Sequence, residues 1–296
     1  MTTIAPDPLQ DVESLAPMPG WVASGRIQEP EDAAFWAGAA LTHLHAVQGS
    51  AAVPHPLWRA RLALEASIAS VRFAGRSEQV GALRDAVHLV RPGDHPGPAG
   101  AIYRRWNDAA ERPLSGATLG RVLPDLCPSR IASWLDTKAG TPVAQAAAVL
   151  EHVLAESPRA ETPALILADA ALARRLGWTH LVPLLAAGLT PRDLQATGAD
   201  LRLACNRAVL SSAQAAARTA VDLARRAGRL TAVAPKLRAR NAGQAVALFL
   251  SRDALSPTGL TRLMSDRAAR RFCDRLVELG AVRELTGRDS FRLYGV

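Results

Sequence analysis

The sequence predicts an all-α protein: a multi-helix N-terminal domain followed by a C-terminal winged-helix domain with a small β-hairpin. Three observations carry this. Nearly half the residues are apolar, alanine is abundant and aromatics are few. Leucine and alanine recur at helical spacing through most of the chain, with Thr-Pro pairs and glycines where helices should start and stop. Only after residue 281 does the pattern change to strand–turn–strand.

Residues 1–29 read as a poorly ordered lead-in with Trp21 as an anchor. The all-helical domain is expected over 30–235. Its first helix spans 31–47, with acids at the start that suit the helix dipole. A second spans 57–74, its stripe made by Leu57, Leu64, Ile68 and Val71 and its stop by Gly75. Ser77 caps a third, to about Leu89, with Val80, Leu83 and Val87 inward. Residues 91–100 hold three prolines and three glycines and form the strongest loop of the sequence. A helix with Tyr103 and Trp106 follows. Ser129 caps a helix over 130–137, and Thr141-Pro142, Thr162-Pro163 and Thr190-Pro191 each pair an N-cap with a first-turn proline. These signals place helices at 143–156, 164–176, 179–187 and 191–196, then a long one over 199–229. Residues 230–240, with Pro235, read as the linker, and no fixed-period repeat suggests a solenoid.

The last segment, 241–296, reads as apolar helix, short helix, basic helix and hairpin. Val246, Leu248, Phe249 and Leu250 form the apolar block. Ser256-Pro257 starts the short helix. Ser265 caps the third helix, Gly280 ends it, and Ala269, Phe272, Cys273 and Leu276 make its buried stripe. Residues 282–285 and 291–294 flank the turn 286–289. A helix presenting arginines beside a two-stranded wing is how a small domain puts one element in a groove and another on phosphates. The expectation is therefore that Arg267, Arg270 and Arg271 approach the major groove while Arg288, with Arg283 or Arg292, touches phosphate or the minor groove through the wing.

Charge supports an anionic partner. Residues 201–252 carry ten Lys/Arg against one acid, Asp222, whereas residues 1–100 carry more acids than bases. Lys138 and Lys236 are the two lysines, so a GC-rich genome explains arginine over lysine; it does not explain missing acids. Arg218, Arg225 and Arg229 share a face of the long helix, either a second basic surface or a solvent face with internal ion pairs.

Other classes find less support. Phosphate-loop, dinucleotide, zinc-protease and nucleophile-elbow motifs are absent. No catalytic residue, metal site or cofactor is expected. Cys127, Cys205 and Cys273 are scattered and odd in number, which points to a reducing cytoplasm. No run of about eighteen apolar residues suggests a membrane span. A DNA-binding regulator or plasmid-associated accessory factor is the leading expectation, with a homodimer as the habit of winged helices. A protein-docking scaffold is the alternative. A helical enzyme using Asp85, His88, Asp94 and His95 is the third; His43 and His45, two residues apart, do not share a helix face.

Residues 61–66 (RLALEA), the loop 91–100, residues 200–205 (DLRLAC) and above all 266–296 (DRAARRFCDRLVELGAVRELTGRDSFRLYGV) resemble the bacterial family known as domain of unknown function 1403, over nearly the whole chain. That resemblance implies a protein of about this length and no particular activity. A weaker likeness is to the flanking helices and winged-helix tail of Fic-type proteins. Residues 70–75 (SVRFAG) sit where those proteins carry an inhibitory Ser/Thr-x-x-x-Glu-Gly helix, but Ala74 replaces the glutamate and the catalytic H-P-F-x-x-G-N-G-R loop is missing. The likeness therefore implies scaffold and tail, not AMP transfer.

Overall fold

The structure is a computed structural model describing residues 15–90 and 93–296. Residues 1–14 of the expected lead-in, and Arg91-Pro92 of the expected loop, lie outside the described residues. The described chain is mostly helical, with one two-stranded antiparallel sheet. The helices are α1 Gly20–Ala23, α2 Pro30–Gly49, α3 His55–Phe73, α4 Val80–His88, α5 Gly97–Glu111, α6 Gly116–Val122, α7 Pro128–Leu135, α8 Pro142–Glu156, α9 Glu161–Arg175, α10 Leu185–Gly188, α11 Gly198–Val233, α12 Ala242–Phe249 and α13 Asp266–Glu278. The strands are β1 Arg283–Glu284 and β2 Tyr294–Gly295. Among the described residues no helix is long and apolar enough to cross a membrane.

Helix α11, of 36 residues, is the spine. Its buried face is largely alanine: Ala208, Ala213, Ala216, Ala217, Ala220 and Ala224. Such small side chains let α2, α8 and α10 pack closely along it. The α3/α5 pair closes one side and the α8/α9 pair the other. Two tryptophans tie the layers: Trp58 Nε1 donates to the Ala216 carbonyl at 2.9 Å, and Trp106 Nε1 to Ser70 Oγ at 2.8 Å. Both rings are fully buried, and each polar N–H has the acceptor that burial demands.

At the α10–α11 contact the fit has no slack. A Cβ on Gly188 would lie 2.6 Å from both Cα and the carbonyl oxygen of Ala208. These are backbone atoms that no rotamer change can move. Gly188→Ala is therefore expected to destabilise the protein by about 1–3 kcal/mol, the usual range for overpacking. A lower urea midpoint with unchanged slope checks this; an unshifted midpoint would mean that α10 can slide away freely.

Several expected boundaries move, each for a local reason. The helix expected at 179–187 shrinks to α10, because Pro183 lacks an N–H and the Leu184 and Leu185 N–H groups donate to buried Asp169 Oδ1 at 3.2 and 3.1 Å. Helix α7 starts two residues early: Pro128, not Ser129, opens it, with Cys127 at the N-cap. Ser77 caps nothing, since α4 begins only at Val80 with Gln79 at the N-cap. Thr162 lies inside α9 rather than at its cap. Thr141, Ser256 and Ser265 do cap as expected, accepting from Ala144, Gly259 and Ala268 N–H groups. In the lead-in, Val22 rather than Trp21 is the buried anchor; the exposed Trp21 ring meets Phe35 and the half-buried Trp36 at tilted angles.

The expected linker, residues 230–240, is helical as far as Val233; the 3-10 turn Ala234–Lys236 and a non-helical stretch follow. Buried residues on the two sides nevertheless belong to one contiguous apolar core. The tail is packed onto the front half, not tethered beside it.

Candidate nucleic-acid interface

Helix α13 sorts its side chains by spacing. Ala269, Phe272, Cys273 and Leu276 are buried, so the remaining positions must face outward. Burial pushes the Cys273 thiol up to about 12, which removes it as a nucleophile. The exposed positions split into two stripes. Arg267, Arg271 and Arg275, four residues apart, form one wall of a groove of about 730 Å³. The opposite wall is the stretch after α11, which contributes Lys236 and Arg238. Five cations line this groove and no acid does. Arg275 is held by Glu278 at 2.9 Å; Arg267, Arg271, Lys236 and Arg238 have no carboxylate within ion-pair distance among the described residues. Positive charge with so little neutralisation projects a field that attracts polyanions.

The second stripe behaves differently. Arg270 pairs with Asp266 at 3.0 Å and faces a cleft of about 450 Å³ between α13 and the hairpin. That cleft also holds Asp274, Asp289 and Arg292, so its charge is mixed. Arg292 donates to the Arg288 carbonyl at 3.0 Å and lies 3.5 Å from Asp289. The three arginines expected together on α13 are thus divided between two faces, because Arg270 and Arg271 are a turn-fraction of about 100° apart.

The hairpin turns toward the front half. Glu284 accepts from the Thr286 and Gly287 N–H groups, each at 2.7 Å, which shapes the turn before Gly287 enters it with φ 63°. The turn aims Arg288 at α4, where its Nη1 and Nη2 each reach an Asp85 oxygen at 2.8 Å. Arg283 points to another cleft, shared with Arg225 and Arg229 of α11. Arg218 is exposed on the same helix but lines none of these clefts.

Below this surface lies a junction between the front half and the tail. Asp253, 1% exposed, receives Arg84 in a fork: Nε to Oδ2 at 2.7 Å and Nη2 to Oδ1 at 3.0 Å. Arg61 Nε lies 2.9 Å from Oδ1, off the hydrogen-bond direction, so it contributes charge and not a directed bond. Burial alone would raise the Asp253 carboxyl; the two guanidinium groups outweigh it and hold the carboxyl below its ordinary range.

Asp85, His88, Asp94 and His95 do not converge. Asp85 is taken by Arg288, while Asp94 and His95 are exposed on the loop. His88 lines a separate cavity of about 260 Å³ with Asn107, Glu111 and Arg252. Burial lowers its pKa. Among the described residues no group of three or more His, Cys, Asp or Glu side chains is placed to hold a metal ion. His45, for its part, accepts from Trp178 Nε1 at 2.9 Å.

Sequence reasoning missed Lys236, Arg238 and Arg275 in the groove. Arg275 was legible, as the next member of the four-residue spacing from Arg267. The other two come near α13 only through tertiary packing, for which the sequence holds no local signal. No curated protein matches the chain, and the likeness to Fic-type proteins finds no support. A match to the family described as Protein of unknown function (DUF1403) spans residues 6–296. Covering nearly the full length, it means that the chain belongs to that family.

Proposed function

We propose that the tail is a winged helix that binds duplex DNA, and that the protein acts as a transcriptional regulator or plasmid-associated accessory factor in the cytoplasm. The observation that carries the reading is the acid-free basic groove between Lys236/Arg238 and α13. Chain order supports it: α12, an extended residue Leu255 bridged to Tyr294, the 3-10 turn Pro257–Leu260, α13, then β1 and β2. Under the proposal Leu255, β2 and β1, which pair in that order, stand as the three strands of the wing sheet and α13 as the recognition helix.

In this reading Arg267 and Arg271 approach base edges, and Lys236, Arg238 and Arg275 contact phosphate. Arg288 is engaged by Asp85, so backbone contact shifts from the hairpin to the post-α11 stretch. Arg270 and Arg292 lie outside the groove and contribute field only; Arg283 also lies outside it, in the cleft it shares with Arg225 and Arg229. A homodimer placing two such helices on one duplex is part of the proposal.

Fluorescence anisotropy on mixed genomic fragments tests it. Arg267→Ala with Arg271→Ala is expected to flatten discrimination between fragments, since a guanine-reading arginine is worth about 1–3 kcal/mol. Lys236→Ala with Arg238→Ala is expected to weaken all fragments alike and to lower the salt slope by about two. Indistinguishable binding by wild type and both variants at moderate salt would sink the reading.

One observation favours protein docking instead: Phe291, 71% exposed, stands at the mixed-charge cleft beside the hairpin. Under that reading the protein leaves heparin early and shifts no DNA.

A further inference from the structure

Between the C-terminal third of α11 and the residues following α13 lies a cleft of about 280 Å³. Arg225, Arg226, Arg229 and Arg283 line it against one acidic side chain, Asp222. Asp222 is engaged by Arg226 at 2.8 Å. The other three arginines have no carboxylate within ion-pair distance among the described residues. Val296 closes one end, its carbonyl accepting from Arg61 at 3.4 Å. Behind the cleft, Arg61 and Arg84 share Asp253, and Arg61 also stands near Glu65 and the Val296 oxygen.

We infer that this cleft is a binding site for a phosphate group, supplied by a free phosphorylated small molecule or by a nucleic-acid backbone. Guanidinium forks match the oxygen geometry of phosphate, and several converging on a partly desolvated site favour it over monovalent anions. The crowding is visible in Arg283, whose pKa falls below the ordinary arginine value through burial and through the nearby Arg226 and Arg61 charges. An anion would relieve that repulsion. The cleft lies between the same two stretches of chain as the basic groove, residues 222–239 and 265–283. The two sites share no lining residue; a nucleic-acid backbone long enough to reach both would extend the DNA reading, and binding of a free phosphate does not depend on it.

The probe is inorganic pyrophosphate against full-length protein, with chloride matching the ionic strength. Wild type is expected to gain a few degrees in melting temperature at saturating probe. Arg229→Gln with Arg283→Gln, both at exposed positions, is expected to lose that gain while melting normally in chloride. A parallel titration of duplex DNA against salt separates the sources. A slope lower by about one to two in the variant assigns the site to backbone phosphate, with or without a pyrophosphate response. A lost pyrophosphate response at unchanged slope, or with no duplex bound at all, assigns it to a free phosphorylated ligand. Equal responses to pyrophosphate together with equal slopes overturn the inference.

Discussion

Replacing Asp253 with alanine is expected to destabilise the protein by about 3–5 kcal/mol, the range for removing one partner of a buried ion pair. The effect comes from what stays behind. Arg84 is itself buried, and without Asp253 its guanidinium keeps its charge in a site from which water is largely excluded. Burial pulls the Arg84 pKa down; the Asp253 hydrogen bonds and charge more than restore it. Arg61, 17% exposed at its side chain, can turn toward solvent and suffers less. Hence Asp253→Ala with Arg84→Met is expected to recover a large part of the loss, a coupling that a double-mutant cycle in urea reads directly. If the double variant is as unstable as the sum of the singles, the ion pair is not what the junction rests on.

The location of Asp253 gives this loss a second consequence. It lies between α12 and the Leu255 bridge, while Arg84 and Arg61 come from α4 and α3 of the front half. The pair therefore ties the segment that follows α12 to the front half of the molecule. Next to Arg84 on the same helix, Asp85 holds Arg288, so two consecutive residues of α4 grip the tail at its base and at its hairpin. Only the first grip is buried. The outer one, between two partly exposed side chains, is worth little by itself.

How much of this the sequence carried depends on the range of the interaction. Local signals were dependable where the backbone itself needed them. Ser256, Ser265 and Thr141 cap because the first-turn N–H groups after them have no other acceptor, and Gly280 ends α13 with φ 64° because a side chain resists that conformation. Local signals failed where a distant group competed. The segment 179–187 has the apolar content of a helix, yet Asp169 claims two of its N–H groups, those of Leu184 and Leu185. The groove follows the same division: α13 was readable from its own period, its facing wall was not. The buried Arg84–Asp253 pair left no trace at all, since the two residues lie 169 positions apart and neither sits in a motif.

Asp169 also sets a large expected dependence of stability on pH between about 4 and 7. It is fully buried in α9, where burial raises its pKa to about 7 although the backbone N–H groups of Leu185 and Leu184 pull the other way. Its Oδ1 accepts both of those bonds; Oδ2 has no partner. The unfolded chain releases this proton near the ordinary value of 3.8, whereas the folded chain keeps it until about 7. Between those values the native state binds more protons, so stability falls as pH rises and levels off above 7. A rise of this size corresponds to about 4 kcal/mol. Asp253 works in the opposite sense: its depressed pKa adds stability above the unfolded value and withdraws it on acidification through the folded one. Wild type alone therefore mixes the two trends, and the comparison must be with Asp169→Asn. Asparagine keeps an oxygen for both N–H groups and cannot ionise. Its amide meets the same empty surroundings as Oδ2, which costs about 1–3 kcal/mol at every pH. The variant is thus expected to be the less stable protein near pH 4 and to lose its disadvantage, or reverse it, by pH 8. Urea midpoints that track wild type in parallel from pH 4 to 8 would show that Asp169 is ionised throughout, and that an internal counter-charge or water satisfies Oδ2.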